Sequence, residues 1–385
     1  MYITTPLAPR YPQMPIESLF DFTGAYDNRN YDPICDPSAT YTAIRDKIPM
    51  SVYKSWRPER LRNYLHNFVD MYRDVVGLPD YRHMYNHYEI PKKNGKTRPI
   101  DEPLPQLRAA QDKLLDILKV CMPANHHASA YAYIEKRTTV DAAKKHQSNE
   151  SHWYAKFDFT NFFGNTTPDF VFRMLKQIYP FSWVYEQGDG KVVEDAMSIC
   201  FLRGGLPQGS PLSPMLTNII MIPIDHFLCN TLHNYQRKSF IYTRYADDMQ
   251  ISCKFEFNVR DIERLIVSTL KKFDAPFPLN KEKTHYGSRA GRNAMLGVHI
   301  NAANQITVGH ENKRFMKAML TNYITDKKSK TRRWDLQEIQ QLQGKLNYFR
   351  QIEKEYFDSV LERLGQKFNI DIEKSIKEDI KMMSA

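Results

Sequence analysis

Residues 240–252, FIYTRYADDMQIS, set two apolar, β-rich runs on either side of a turn made of Asp247-Asp248, and this stretch constrains the chain more than any other. The pattern predicts a hairpin. Two adjacent carboxylates at its tip repel each other unless a cation is shared. An Asp-Asp dipeptide alone is ordinarily just an exposed turn, so the pair needs partners elsewhere.

One candidate partner is Asp158. In WYAKFDFTNFF (153–163), Trp153, Ala155, Phe157 and Phe159 alternate with Tyr154, Lys156 and Asp158. This period predicts a strand with one buried face and Asp158 on the other. Thr167, Pro168 and Asp169 then predict a helix start, with Val171, Met174, Leu175 and Ile178 along one side of the helix. Three carboxylates on two strands read as a two-metal site, because hard divalent cations take oxygen ligands.

Between these segments lies RGGLPQGSPLSPMLTNII (203–220). Gly204, Gly205, Pro207 and Gly209 predict a flat loop that lets a planar ligand approach the backbone. Ser213 and Pro214 predict an N-cap and first-turn proline for a helix carrying Leu216, Ile219 and Ile220. A glycine-rich connection is usually only a turn. Its weight comes from its place between the two carboxylate segments.

Elsewhere, Leu61, Tyr64, Leu65, Phe68, Tyr72 and Val75 predict an amphipathic helix, and YEIPKKNGKTRPID (88–101) predicts a hairpin turning at Asn94-Gly95. Leu104, Leu107, Leu114, Leu115 and Leu118 mark another helix. Residues 126–150 read as a basic, His-containing connection without periodicity. Leu336, Ile339, Leu342, Leu346, Phe349 and Ile352 share one helix face, preceded by the basic run KKSKTRR (327–333). At 385 residues the chain exceeds a single core, and its formal charge of +10 suits a polyanionic partner. The five scattered cysteines offer neither a disulfide framework nor a zinc site. With no basic and apolar leader at the start and no long apolar run, the expectation is a soluble cytoplasmic protein with no membrane partner.

Taken together these motifs resemble the bacterial reverse transcriptases over roughly residues 80–350. FDFTNFF is similar to the first catalytic motif, GLPQGSPLSP to the loop that packs on the new base pair, and YADD to the metal-binding hairpin. LNKEKT (279–284) resembles the segment carrying a basic residue near pyrophosphate, and AMLGVHIN (294–301) the primer grip. The resemblance implies an α+β right-hand polymerase: an extension (1–55), fingers with N-terminal helices (56–152), a palm with an antiparallel sheet and packed helices (153–305) and a helical thumb (306–385). It implies RNA-directed DNA synthesis with two Mg²⁺ ions, Mn²⁺ being a substitute, held by Asp158, Asp247, Asp248 and the Phe159 carbonyl.

By the same resemblance, Phe163 would be the aromatic gate against a ribose 2′ hydroxyl and Gln208 would touch the incoming dNTP. Arg98 with Lys92 or Lys96 would hold the triphosphate, Arg98 being the better bidentate partner. Lys283 would assist departing pyrophosphate. Gly297 in the primer grip and Lys327, Lys328, Lys330, Arg332 and Arg333 would meet nucleic acid, the basic run with a salt-dependent contribution.

No maturase, endonuclease, integrase or RNase H segment follows the thumb, which points to compact bacterial enzymes. Retron enzymes usually carry Asn-Ala-x-x-His where this chain has Ala142-Ala143-Lys144-Lys145-His146, and Val-Thr-Gly where it has Met295-Leu296-Gly297. The expectation is therefore an antiphage defence enzyme using a dedicated structured noncoding RNA template and a DNA or RNA primer. A divergent retron enzyme making msDNA, an untemplated or protein-primed polymerase of the abortive-infection type, and a non-catalytic RNA-binding scaffold stand as alternatives. A defence effector protein or a second copy of the chain are the candidate protein partners.

Overall fold

The computed structural model describes residues 58–384 apart from 92–94, 96, 123–124, 236–238, 290–293, 296 and 332–333. The expected extension, Lys92, Lys96, Arg332 and Arg333 lie outside the described residues. The chain divides into two compact units: residues up to 137 with Trp153–Tyr286, and Thr138–His152 with the residues from 287 on. Each combines helices with antiparallel strands, so the fold is α+β.

The first unit opens with the expected helix, Pro58–Met71, which buries Leu61, Leu65 and Phe68. The hairpin follows as β1 (Tyr85–Pro91) and β2 (Thr97–Pro103), paired from Tyr85↔Pro103 to Pro91↔Thr97. Only Tyr85 of β1 is buried, so most of this ribbon stands in solvent. The helix Pro105–Cys121 comes next, with Leu107, Leu114 and Leu118 inward.

The sheet of this unit runs β4-β5-β3-β6, where β3 is Trp153–Asp158, β4 Ile241–Tyr245, β5 Asp248–Cys253 and β6 His285–Ser288. Two expectations are corrected here. First, β3 is covered on both faces: Tyr154 and Asp158 are each 3% exposed, as buried as the alternating apolar set. A strand with a neighbour on either side and helices packed nearby loses the exposed face that simple alternation implies. Second, the β4–β5 turn is Ala246-Asp247, with Ala246 at φ +56°, and Asp248 already belongs to β5.

The helix expected after Thr167 forms as Pro168–Leu175, capped by the Thr167 hydroxyl accepting from the Phe170 amide at 3.3 Å. The one expected with Ser213 as its N-cap starts two residues earlier, Leu212–Ile220. Ser210 Oγ accepts the Leu212 amide, and Ser213 Oγ instead donates to the Pro207 carbonyl at 2.8 Å. This helix continues at a 44° bend into Ile222–Asn234. Together the two are long and apolar, yet among the described residues no single helix is long and apolar enough to cross a membrane.

The second unit holds a small sheet, β7 (Ala294–Met295), β8 (Val298–Ile300) and β9 (Ile306–Thr307), in the order β7-β8-β9. Four helices, His310–Ser329, Leu336–Ile352, Lys354–Phe368 and Ile372–Ser384, enclose Met316, Leu320, Tyr323, Ile339, Leu342, Leu346 and Phe357. The aperiodic connection expected at 126–150 contains a helix, Thr139–Ser148, opened by a reciprocal Thr138/Asp141 capping box. Its inward face is Ala142, Ala143 and His146. A face built from alanine and histidine carries too little apolar signal to register as a period.

Candidate active site

The β-sheet register places the three carboxylates. Asp158 pairs directly with Asp248 across β3 and β5, and Asp247 occupies the adjoining turn. Like charges directly opposite each other destabilise a sheet unless something cationic intervenes. Two lysines do so. Lys283 Nζ lies 2.9 and 3.0 Å from the Asp158 carboxylate oxygens, and Lys156 Nζ pairs with Asp248 Oδ1 at 2.8 Å.

Burial, with the Asp247 charge and a hydrogen bond with Asp248 added, pushes the Asp158 carboxyl up to about 6 despite the Lys283 contact. Burial and Asp248 likewise raise Asp247. Three carboxylates face two lysines here, and hard oxygen donors in such surplus suit divalent cations. Among the described residues no three His, Cys, Asp or Glu side chains form a ready-made metal cage. The donors fit such ions in kind and in strand position, with the lysine ammonium groups now on the carboxylates.

A cavity of about 560 Å³ opens beside the cluster. Asp158, Asp247, Phe159, Phe163, Gln208, Arg98, Lys283 and Tyr133 all line it. Arg98 sits on β2 opposite Ile90, exposed. The Phe159 carbonyl is not consumed where its strand meets Leu279, because the bonds there use the Asp158 carbonyl, taken by Asn280 N, and the Thr160 amide.

The glycine loop lines the cavity through Pro207, Gln208 and Gly209, and its glycines also seat it against protein. A Cβ on Gly205 would stand 2.1 Å from the Gly164 carbonyl oxygen, and one on Gly209 2.5 Å from that of Asp101. Leu206 N donates to the Phe163 carbonyl at 2.9 Å, and Asp101 N to the Gln208 carbonyl at 2.7 Å. The glycines let the loop lie flush against the segments that carry Phe163 and Arg98. Fully buried Gln111 secures it further, accepting from Ser210 Oγ and donating to the Ile199 carbonyl and the Tyr85 hydroxyl.

Arg244, three residues before Asp247, is wholly buried with Asp225. Its Nε and Nη2 bind the Asp225 carboxylate at 2.9 and 2.8 Å, Nη1 donates to the Ala246 carbonyl at 3.1 Å, and Nη2 to Asn218 Oδ1 at 3.2 Å. Asn218 in turn donates to the Ala132 carbonyl at 2.9 Å. Removing one partner of such a pair costs about 3–5 kcal/mol. Neither Arg244, Asp225, Gln111, Lys156 nor Tyr133 stood out in the sequence. Arg244 within an apolar strand was the one visible signal.

The remaining expected residues fall in the second unit. Gly297 turns between β7 and β8 at φ +85°. Lys327 pairs with Asp379 at 2.6 Å, Lys328 donates to the Phe368 carbonyl, and Lys330 ends its helix at φ +57°.

Residues 90–300 match the family model described as "Reverse transcriptase (RNA-dependent DNA polymerase)". The chain belongs to the reverse transcriptase family. It is an RNA-directed DNA polymerase of the right-hand class, and divalent metal is the general requirement of that family. It is 28% identical over 308 residues to the retron Ec83 reverse transcriptase of Escherichia coli, covering 76% of this chain and 89% of that one. It is 27% identical over 237 residues to the retron Mx162 reverse transcriptase of Myxococcus xanthus, covering 57% of this chain and 47% of the relative. The departures at 142–146 and 295–297 fall within the span that the family model matches. Among solved structures it is similar to apo telomerase from Candida tropicalis, with TM-score 0.46, 12% identity and coverage of 88% and 64%.

Proposed function

We propose that the cavity receives a deoxynucleoside triphosphate and that Asp158, Asp247 and Asp248, with the Phe159 carbonyl, hold two Mg²⁺ ions. The observation that carries this is the pairing of Asp158 with Asp248 beside a cavity that Arg98 and Gln208 also line. Bound there, the ions would stabilise charge on the entering and leaving oxygens of an in-line displacement. Arg98 binds the triphosphate with its planar fork, joined by Lys92 or Lys96. Gln208 contacts the nucleotide, and Phe163 excludes a 2′ hydroxyl. Lys283, exchanged off Asp158, meets the pyrophosphate charge as it develops.

In this reading the fingers span 56–152, the palm 153–305 and the thumb 306–385. Gly297 and the basic residues Lys330, Arg332 and Arg333 face the nucleic acid. The template is a dedicated structured noncoding RNA and the primer is DNA or RNA. The setting is cytoplasmic antiviral defence. The retron names of the relatives favour a second reading of the product as retron msDNA. Purifying the protein with its bound nucleic acid and sequencing it tests both. A single recurrent RNA joined to complementary DNA supports them, and random cellular RNA without DNA product refutes them.

A further inference from the structure

Tyr133 is 55% exposed, yet its backbone is held at φ +62°. That region is costly for a bulky aromatic residue and persists only where the surroundings over-determine it. Here they do. Tyr131 N donates to the Arg244 carbonyl at 2.8 Å, and the Ala132 carbonyl accepts from Asn218 at 2.9 Å. Arg137 Nη1 clamps the carbonyls of Ala128 and Ala130 at 3.1 and 2.7 Å. Core packing does not account for the arrangement, since the ring is largely outside the core.

What the arrangement achieves is a wall. The Tyr133 ring meets Phe163 at 6.4 Å between centroids and 68° between planes. Phe163 also meets buried Phe162 at 5.7 Å and 67°. Phe163 is only half-buried, and these two aromatic neighbours limit how far its ring can turn. Tyr133 and Phe163 both line the same cavity as Asp158 and Asp247.

We propose that Tyr133 is the positioning residue of the sugar gate: its ring, through edge-to-face contact, holds Phe163 in the orientation that discriminates deoxyribose from ribose. This rests on the reading of Phe163 as the gate and of the cavity as the nucleotide site. Aromatic pairs of this geometry are worth about a three- to tenfold effect.

The test is primer extension on an RNA template, reading the ratio of kcat/KM for a dNTP to that for the matching rNTP. Tyr133→Ala lowers that ratio about three- to tenfold, Tyr133→Phe leaves it unchanged, and Tyr133→Ala added to Phe163→Ala lowers it no further. The thermal midpoint of each variant checks that the fold is intact. An unchanged ratio in Tyr133→Ala alongside a lowered one in Phe163→Ala overturns the role of Tyr133 and leaves the gate standing. Unchanged ratios in both single variants overturn the gate itself. A loss in Tyr133→Phe equal to that in Tyr133→Ala overturns the packing argument, because the ring would then not be what matters.

Discussion

Asp158 on β3 stands directly opposite Asp248 on β5, a cross-strand pair of like charges at one end of the two inner strands of the sheet. Any fold would avoid this placement unless the charge were used. Lys283 and Lys156 relieve part of it, and divalent cations would relieve the rest. Asp158→Ala or Asp247→Ala should therefore reduce DNA synthesis by roughly a thousandfold or more, several kcal/mol of transition-state stabilisation being lost. RNA binding by filter retention should change little. Normal synthesis by either variant would sink the metal-site assignment.

Gly209 holds φ +130°, with no room for a Cβ against Asp101. Gly209→Ala should strain the loop by about 1–3 kcal/mol and displace Gln208. The expected signature is a raised KM for dNTP with a smaller change in kcat, read by steady-state extension. An unaltered KM would detach Gln208 from nucleotide binding.

His146 is fully buried in the helix Thr139–Ser148, and burial, with Lys145 adding to it, pushes its imidazole down to about 3. The unfolded chain takes up the proton near pH 6.5, so acidification favours unfolding from there downward. Between pH 7 and 5 this one group should cost about 2 kcal/mol of stability. Urea unfolding at the two pH values should show a smaller difference for His146→Leu. Equal differences would mean that His146 protonates freely in the folded protein.

Two lysines of one basic run should behave differently. Lys327 is committed to Asp379, whereas Lys330 is exposed at its helix end. Lys327→Ala should lower the thermal midpoint of the protein. Lys330→Ala should leave stability alone and flatten the salt dependence of RNA binding by about one counterion. Reversed results would exchange their roles.

Period and punctuation made much of this legible. The helix Pro58–Met71, the β1–β2 hairpin, the cap at Thr167 and the helix Leu336–Ile352 follow from spacing and turn chemistry alone. The Asp158 and Asp247-Asp248 segments were recognisable because each is local. Their register against each other was not, since it depends on which strands become neighbours. The same holds for Lys283 reaching Asp158 over 125 positions, and for Gly205 seating against Gly164. The helix Thr139–Ser148 escaped because its signal was a capping box rather than a leucine face.

Arg244 binds the Ala246 carbonyl beside the carboxylate turn and, through Asn218, the Ala132 carbonyl beside Tyr133. The carboxylate turn and the segment that carries Tyr133 therefore share an anchor in the Arg244–Asp225 pair. Loosening that anchor at Asp225 would release both at once, the carboxylate turn and the part of the cavity lining that Tyr133 forms. On the proposed reading of the cavity, sugar selection and turnover would then fall together.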